Sequence, residues 1–166
     1  KVLSTVSVGV LQSPSIAWQP PLPQWKKDAI GNVAMGLLNK VLLLFDTAWW
    51  ERVHKADTDV WGHLLGPSSL RGMCFQFWCM RGSTGKPVLS ALVSGEAAWR
   101  LERMSDQQAV AQCMAVLRSA FGAAVPAAPR SATVSRWASD PLVLGSYSNI
   151  RPNASGRAYD ELARPV

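Results

Sequence analysis

The chain has 166 residues, 48% hydrophobic and 17% charged, a composition that excludes disorder and is long enough for one domain with a real core. Its formal charge of +6 is spread evenly, with eight Lys/Arg against five acids in residues 1–83 and nine against six in 84–166, so no charge block marks a dedicated nucleic-acid arm. No apolar run approaches the ~18 residues of a membrane span, and the start at Lys1 has no signal-peptide layout, as expected of a segment cut from a longer chain.

The chain alternates short strands and helices. Val2 to Val6 reads as a strand. Pro20, Pro21 and Pro23 form a stiff connector, and Pro23 suits the first turn of a helix over about Gln24 to Val33. Met35 to Phe45 is the most apolar stretch, interrupted only by Asn39 and Lys40, and fits a strand covered on both faces. Residues 51–59 read as an exposed loop around His54. Trp61 to Leu65 and Gly72 to Met80 read as strands. A turn at Gly82 to Gly85 leads to a further strand, Val88 to Val93.

Two helices follow. The first runs from Glu96 to about Arg103. The second opens with Ser105 and Gln108, a capping box, presents Ala109, Val110, Cys113, Met114, Val116, Leu117 and Phe121 on a broad apolar face, and stops at Gly122. Thr133 to Trp137 reads as a strand. The tail from Asp140 has too few apolar residues for its own core, so it must lean on another element. The fold class is α+β, a mixed sheet with flanking helices.

Cys74 and Cys79 share one strand-like run and should point to opposite faces, and Cys113 lies on a helix. Reduced cysteines in an intracellular compartment are the simplest reading. With no C-x-x-C and only His54 and His63, no metal site is expected. Lys40 either snorkels to a sheet edge or is held inside, where desolvation would lower its pKa and suit it to proton transfer. Trp137, Asp140–Pro141 and Gly145-Ser146-Tyr147 form either a ligand-lining turn or a turn packed by two aromatics. Trp78, beside polar Gln76, is either a pocket wall or core packing. There is no G-x-G-x-x-G, no P-loop and no G-x-S-x-G.

Ordered motifs along the chain carry a resemblance. They are Val2 to Leu11, Pro20 to Lys26, Gly36-Leu37-Leu38-Asn39-Lys40-Val41, Phe45-Asp46 with Trp49-Trp50, Gly62-His63, Phe75 to Trp78, Leu92 to Ala98, Ser105-Asp106, Ser135-Arg136-Trp137, Asp140-Pro141, Gly145 to Ser148 and Tyr159-Asp160. Together they resemble the flavin-containing amine oxidases. Gly95 to Ala98 and Gln24 to Lys26 resemble the lysine-specific histone demethylase branch most, then polyamine oxidases.

The resemblance implies the substrate-binding half of a flavin amine oxidase fold, with FAD taking a hydride from an amine carbon and oxygen returning the flavin with release of hydrogen peroxide. It implies that Lys40 is a buried catalytic lysine holding a water. Thr5, Val6, Ser7, Trp137, Leu142, Ser146 and Tyr147 are flavin neighbours, and Trp78 and Tyr147 line the amine site. Two departures stand out. The demethylase branch usually has Pro where this chain has Ser7, and an aromatic where it has Leu142, which puts flavin affinity in question.

The resemblance further implies a partial domain. Residues of about 12–135 are the substrate-binding subdomain, and 1–11 and 136–166 pack on an FAD-binding half that lies elsewhere in the parent chain. Expected partners are a methylated histone tail or a polyamine, with no membrane and no direct nucleic-acid site. The expected compartment is nuclear for a demethylase, otherwise cytoplasmic or peroxisomal. By itself the segment is expected to be inactive. A non-catalytic scaffold is the competing reading.

Overall fold

The computed structural model describes residues 2–53, 59–64 and 71–166. The chain divides into two compact units, Lys1–Leu37 with Trp137–Val166, and Leu38–Arg136. The α+β class expected from the element order holds, and every described strand pairing is antiparallel.

The second unit is built on a five-stranded sheet. Its strands are β2 (Leu38–Leu44), β3 (Val60–Gly62), β4 (Gln76–Cys79), β5 (Val88–Ser94) and β6 (Ser131–Val134), in the order β3-β4-β5-β2-β6. Side chains alternate across a strand, so register decides which residues share a face. Val41, Leu43, Phe77, Leu89, Ala91 and Val93 form the fully buried set. Helices α4 (Gly95–Glu102) and α5 (Asp106–Phe121) lie against the sheet and bury Ala97, Ala98, Leu101, Ala109, Cys113, Met114 and Leu117. A short helix α3 (Arg81–Thr84) ends at Gly85 in the left-handed conformation, where a turn was expected. Edge-to-face rings of Phe45, Trp49, Trp50, Trp61 and Phe121 close one end of the unit, each pair adding about 0.5–1.5 kcal/mol beyond its buried area.

The first unit holds α1 (Val8–Gln12), α2 (Gln24–Asn32), a two-stranded ribbon of β1 (Val33–Gly36) and β7 (Tyr147–Ile150), and α6 (Arg157–Ala163). The tail leans on α2 and β1, as its thin apolar content required. Lys26 is 6% exposed, and its ammonium donates to the carbonyls of Glu161, Leu162 and Arg164 at 2.7, 3.0 and 2.5 Å. A cation thus caps the α6 C-terminus, where unpaired carbonyls and the helix dipole favour one.

Several expectations are corrected. Val2–Val6 is irregular and exposed, and no described strand pairs with it, so no ladder holds it as a strand. The Met35–Phe45 run is divided at Leu37, with β1 in one sheet and β2 in the other. β2 is fully covered on one face only; on the other Leu38, Leu42 and Leu44 are half-buried and Lys40 is exposed. The strand expected over Gly72–Met80 shortens to β4, since Gly72 and Cys74 adopt positive φ of 84° and 46°. Cys74, turned out of the strand, is paired with Cys113 of α5 as a disulfide with Cα atoms 5.9 Å apart, and Cys79 is free. The reduced state expected for all three cysteines therefore does not hold. Residues 51 and 52 belong to a 3-10 turn, Trp49–Arg52, while His54 and residues 65–70 lie outside the described residues. The last strand of the sheet is Ser131–Val134, which leaves Ser135, Arg136 and Trp137 beyond it.

Candidate functional site

In the second unit, pairing places Lys40 opposite Leu92 and Leu92 opposite Gln76. The neighbouring row is Leu42, Ser90 and Trp78. These six residues share the face opposite the fully buried set. Lys40 and Trp78 are exposed on it, and Gln76 is half-buried. Strands lie ~4.8 Å apart and each residue rises ~3.4 Å, so Lys40 and Trp78, two strands apart on adjacent rows, stand about 12 Å from each other at the backbone. The sheet thus brings together two of the residues singled out in the sequence. It does not give Lys40 the buried setting expected for it, because the helices cover the other face.

The backbone of Lys40 is held firmly. Its N–H donates to Ser135 Oγ at 2.8 Å, and its carbonyl accepts from the Ser135 N–H at 3.0 Å. Ser135 Oγ donates in turn to Asn39 Oδ1 at 3.0 Å, and Asn39 Nδ2 donates to Glu102 at 2.8 Å. Asn39 has no exposed surface. Next along the chain, Arg136 donates to the carbonyls of Leu101 and Met104 at 2.6 and 2.8 Å and to Asp106 at 2.7 Å, which joins the end of α4 to the start of α5. Asn39, Glu102 and Ser135 were not singled out as functional in the sequence. The available signal was an Asn inside an otherwise apolar strand, which demands buried partners.

The first unit gathers most of the remaining candidates on one turn. The N–H groups of Val143 and Leu144 donate to the Asp140 carbonyl at 3.1 and 2.9 Å, the Leu142 N–H donates to its carboxylate at 2.9 Å, and Gly145 N–H donates to the Trp137 carbonyl at 2.9 Å. Ser146 N–H donates to the Gly36 carbonyl at 2.9 Å, which delivers Tyr147 into β7 opposite Gly36. A Cβ on Gly36 would lie 2.5 Å from the Tyr147 ring, so the glycine is the floor on which the ring rests. Trp137, Leu142 and Tyr147 remain 40%, 81% and 49% exposed. Thr5 and Val6 are exposed and lead into Ser7, whose Oγ accepts from Val10 N–H at 3.1 Å and donates to the Val143 carbonyl. One tied turn therefore presents an exposed apolar and aromatic surface, of a chemistry that suits a flat ring system and not a metal ion. Among the described residues, no group of His, Cys, Asp and Glu could hold a metal ion, and no helix is long and apolar enough to cross a membrane.

An antiparallel sheet backed by two helices, with a separate ribbon unit bearing an aromatic turn, is the architecture of part of a flavin-dependent amine oxidase. Putrescine oxidase solved with putrescine bound matches with a TM-score of 0.68 at 20% identity, over 87% of this chain and 30% of that one. The chain belongs to the flavin containing amine oxidoreductase family, whose model matches residues 1–166. The family implies a flavin cofactor. Similar curated proteins include "Lysine-specific histone demethylase 1 homolog 3" of Arabidopsis thaliana, 41% identical over 99% of this chain and 10% of that protein. Another is "Possible lysine-specific histone demethylase 1" of Drosophila melanogaster, 39% identical over 99% of this chain and 19% of that protein. The chain thus spans a tenth to a fifth of the length of these relatives. The resemblance read from the ordered motifs holds.

Proposed function

We propose that this chain contributes the amine-facing sheet and one flank of the cofactor site of an FAD-dependent amine oxidase, and that the whole protein removes methyl groups from a histone-tail lysine. The observation that carries the oxidase reading is the Trp137–Tyr147 turn, which exposes Trp137, Leu142 and Tyr147 and rests the Tyr147 ring on Gly36. The demethylase branch is supported by 41% identity to a relative that bears that name. FAD supplies the hydride acceptor when bound. Trp137, Leu142, Ser146 and Tyr147 flank the ring system, and the backbone of Thr5, Val6 and Ser7 approaches it. Trp78 in the second unit and Tyr147 in the first are each a substrate-contacting residue. Lys40 is the proton-handling residue and holds a water at Nζ, from an exposed position on a sheet face whose neighbouring Leu92 and Ser90 are buried.

In this reading residues of about 12–135 serve the substrate side, and 1–11 and 136–166 pack on an FAD-binding half contributed by further chain. The partner is a methylated histone tail and the compartment is the nucleus. The test is peroxide release by the full-length protein with methylated histone peptide and with spermine. Release with the peptide is expected. Turnover of spermine alone would move the protein to the polyamine oxidases. A Lys40→Met variant should reduce its flavin much more slowly, and unchanged reduction would remove Lys40 from the chemistry. A scaffold is the second reading, favoured by the exposure of Lys40 and the aliphatic Leu142, and a colourless folded protein would favour it over the oxidase.

A further inference from the structure

Ser7 makes two bonds of different kinds. As the residue preceding α1 it accepts from Val10 N–H, an ordinary helix cap. Its hydroxyl proton goes elsewhere, to the carbonyl of Val143, 136 residues away in the chain. That carbonyl belongs to the turn that exposes Leu142 and delivers Tyr147. The next residue, Leu144, sits at φ 55°, in the left-handed region that a branched aliphatic side chain rarely adopts. Such a conformation persists only where its surroundings over-determine it, and it clusters at ligand sites.

The constraints on Leu144 can be named. On one side Ser7 holds Val143. Gly9 of α1 comes so close that a Cβ there would lie 2.5 Å from the Leu144 carbonyl oxygen. On the other side Gly145, at φ 143°, leaves room for Met35, whose Cε would lie 2.7 Å from an added Cβ. Helix packing, glycine and turn bonds are backbone features. The Ser7 hydroxyl is the side-chain bond that ties the segment beginning at Thr5 directly to the strained turn.

We propose that Ser7 is a positioning residue for the flavin. Its hydroxyl, through the Val143 carbonyl, fixes the turn whose Leu142 and Tyr147 surfaces flank the ring system, and it keeps the Thr5–Ser7 backbone in register with that turn. The inference rests on the proposed flavin site. It assigns a side-chain role to a residue otherwise expected to act through its backbone.

The test uses the full-length protein purified with its flavin, as wild type and as Ser7→Ala, Ser7→Gly and Ser7→Thr. The readouts are FAD dissociation constant, visible flavin spectrum at saturating FAD, and melting temperature. Threonine keeps the hydroxyl and should restore wild-type values. Alanine and glycine both remove the bond to Val143 and should weaken FAD binding by roughly tenfold and alter the spectrum equally. Glycine is a tolerable helix cap and alanine a poor one, so an effect that acted through capping would be large for alanine and small for glycine. That pattern, or a lowered melting temperature with unaltered FAD affinity and spectrum, would overturn the proposal. A wild-type protein that never binds flavin would instead sink the oxidase reading, and this inference with it.

Discussion

Asn39 donates its side-chain amide to the Glu102 carboxylate across 2.8 Å while its own surface is wholly buried. Its carbonyl oxygen accepts from Ser135, the residue that brackets the Lys40 backbone. A hydrogen bond to a charged group is worth more than a neutral one, and removing one partner of a buried pair exposes the other to its full desolvation penalty. Asn39→Leu should therefore destabilise the full-length protein by about 1–3 kcal/mol, read as a lower urea midpoint with unchanged slope. A midpoint equal to wild type would show that Asn39 is a passive filler. Ser135→Ala should have a smaller effect on stability, because Lys40 keeps its carbonyl bond to the Ser135 N–H.

Gly36 and Tyr147 make the second prediction. Gly36→Ala places a methyl group 2.5 Å from the tyrosine ring, and the ring must move because the backbone beneath it is bonded to Ser146. A displaced group near the reacting centre slows the reaction more than it loosens the fold. Amine oxidation is expected to fall roughly tenfold or more, with little change in melting temperature. Full activity in Gly36→Ala would remove Tyr147 from the amine path.

What the sequence revealed and what it hid have physical reasons. Ser105 and Gln108 announced their helix because a capping box is complete within four residues, and both of its bonds are present at 3.2 and 2.9 Å. The run from Met35 to Phe45 announced burial but not the division at Leu37. That division depends on partners far along the chain, β7 for one half and β5 with β6 for the other. Lys40 was visible as a cation in an apolar strand. Which face it took followed from the position of α4 and α5 against the sheet, which no local pattern fixes. Cys74 was assigned to a strand because Phe75, Phe77 and Cys79 alternate, yet its φ of 46° turns it toward Cys113. The residues proposed to flank the flavin came from ordered family motifs. Their hydrogen bonds, such as Ser7 to Val143, are tertiary and leave no local trace.

Lys26 gives a pH prediction. Burial lowers its pKa from 10.5, Glu161 raises it in part and Arg164 lowers it again. Between the folded pKa and 10.5 the unfolded chain binds the proton and the folded chain releases it, so stability from this group rises with pH across that window and is flat below it. Lys26→Met removes the group together with its three bonds to carbonyls at the end of α6 and its cap, Arg164, and should cost about 1–3 kcal/mol at neutral pH. The gap between wild type and Lys26→Met should then widen as pH climbs toward 10.5. Urea midpoints of both proteins at pH 7 and near pH 10 test this, and a gap that narrows with pH would contradict the sign.

Trp78 separates a pocket wall from core packing. A tryptophan in a core loses large apolar contacts on truncation, about 3–5 kcal/mol for Trp→Ala. Trp78 is 44% exposed, on the face it shares with Lys40, while its neighbour Phe77 is 1% exposed on the other. Alternation on β4 thus assigns the packing to Phe77 and leaves Trp78 facing outward. Trp78→Ala is expected to lower kcat/KM for the amine at least tenfold, with a loss of stability well under that of a core truncation. Phe77→Ala should do the reverse and unfold the sheet before it affects substrate selection. If Trp78→Ala melted the protein as Phe77→Ala does, the outward tryptophan would be structural, and the open face around Lys40 would lose its best evidence for an amine.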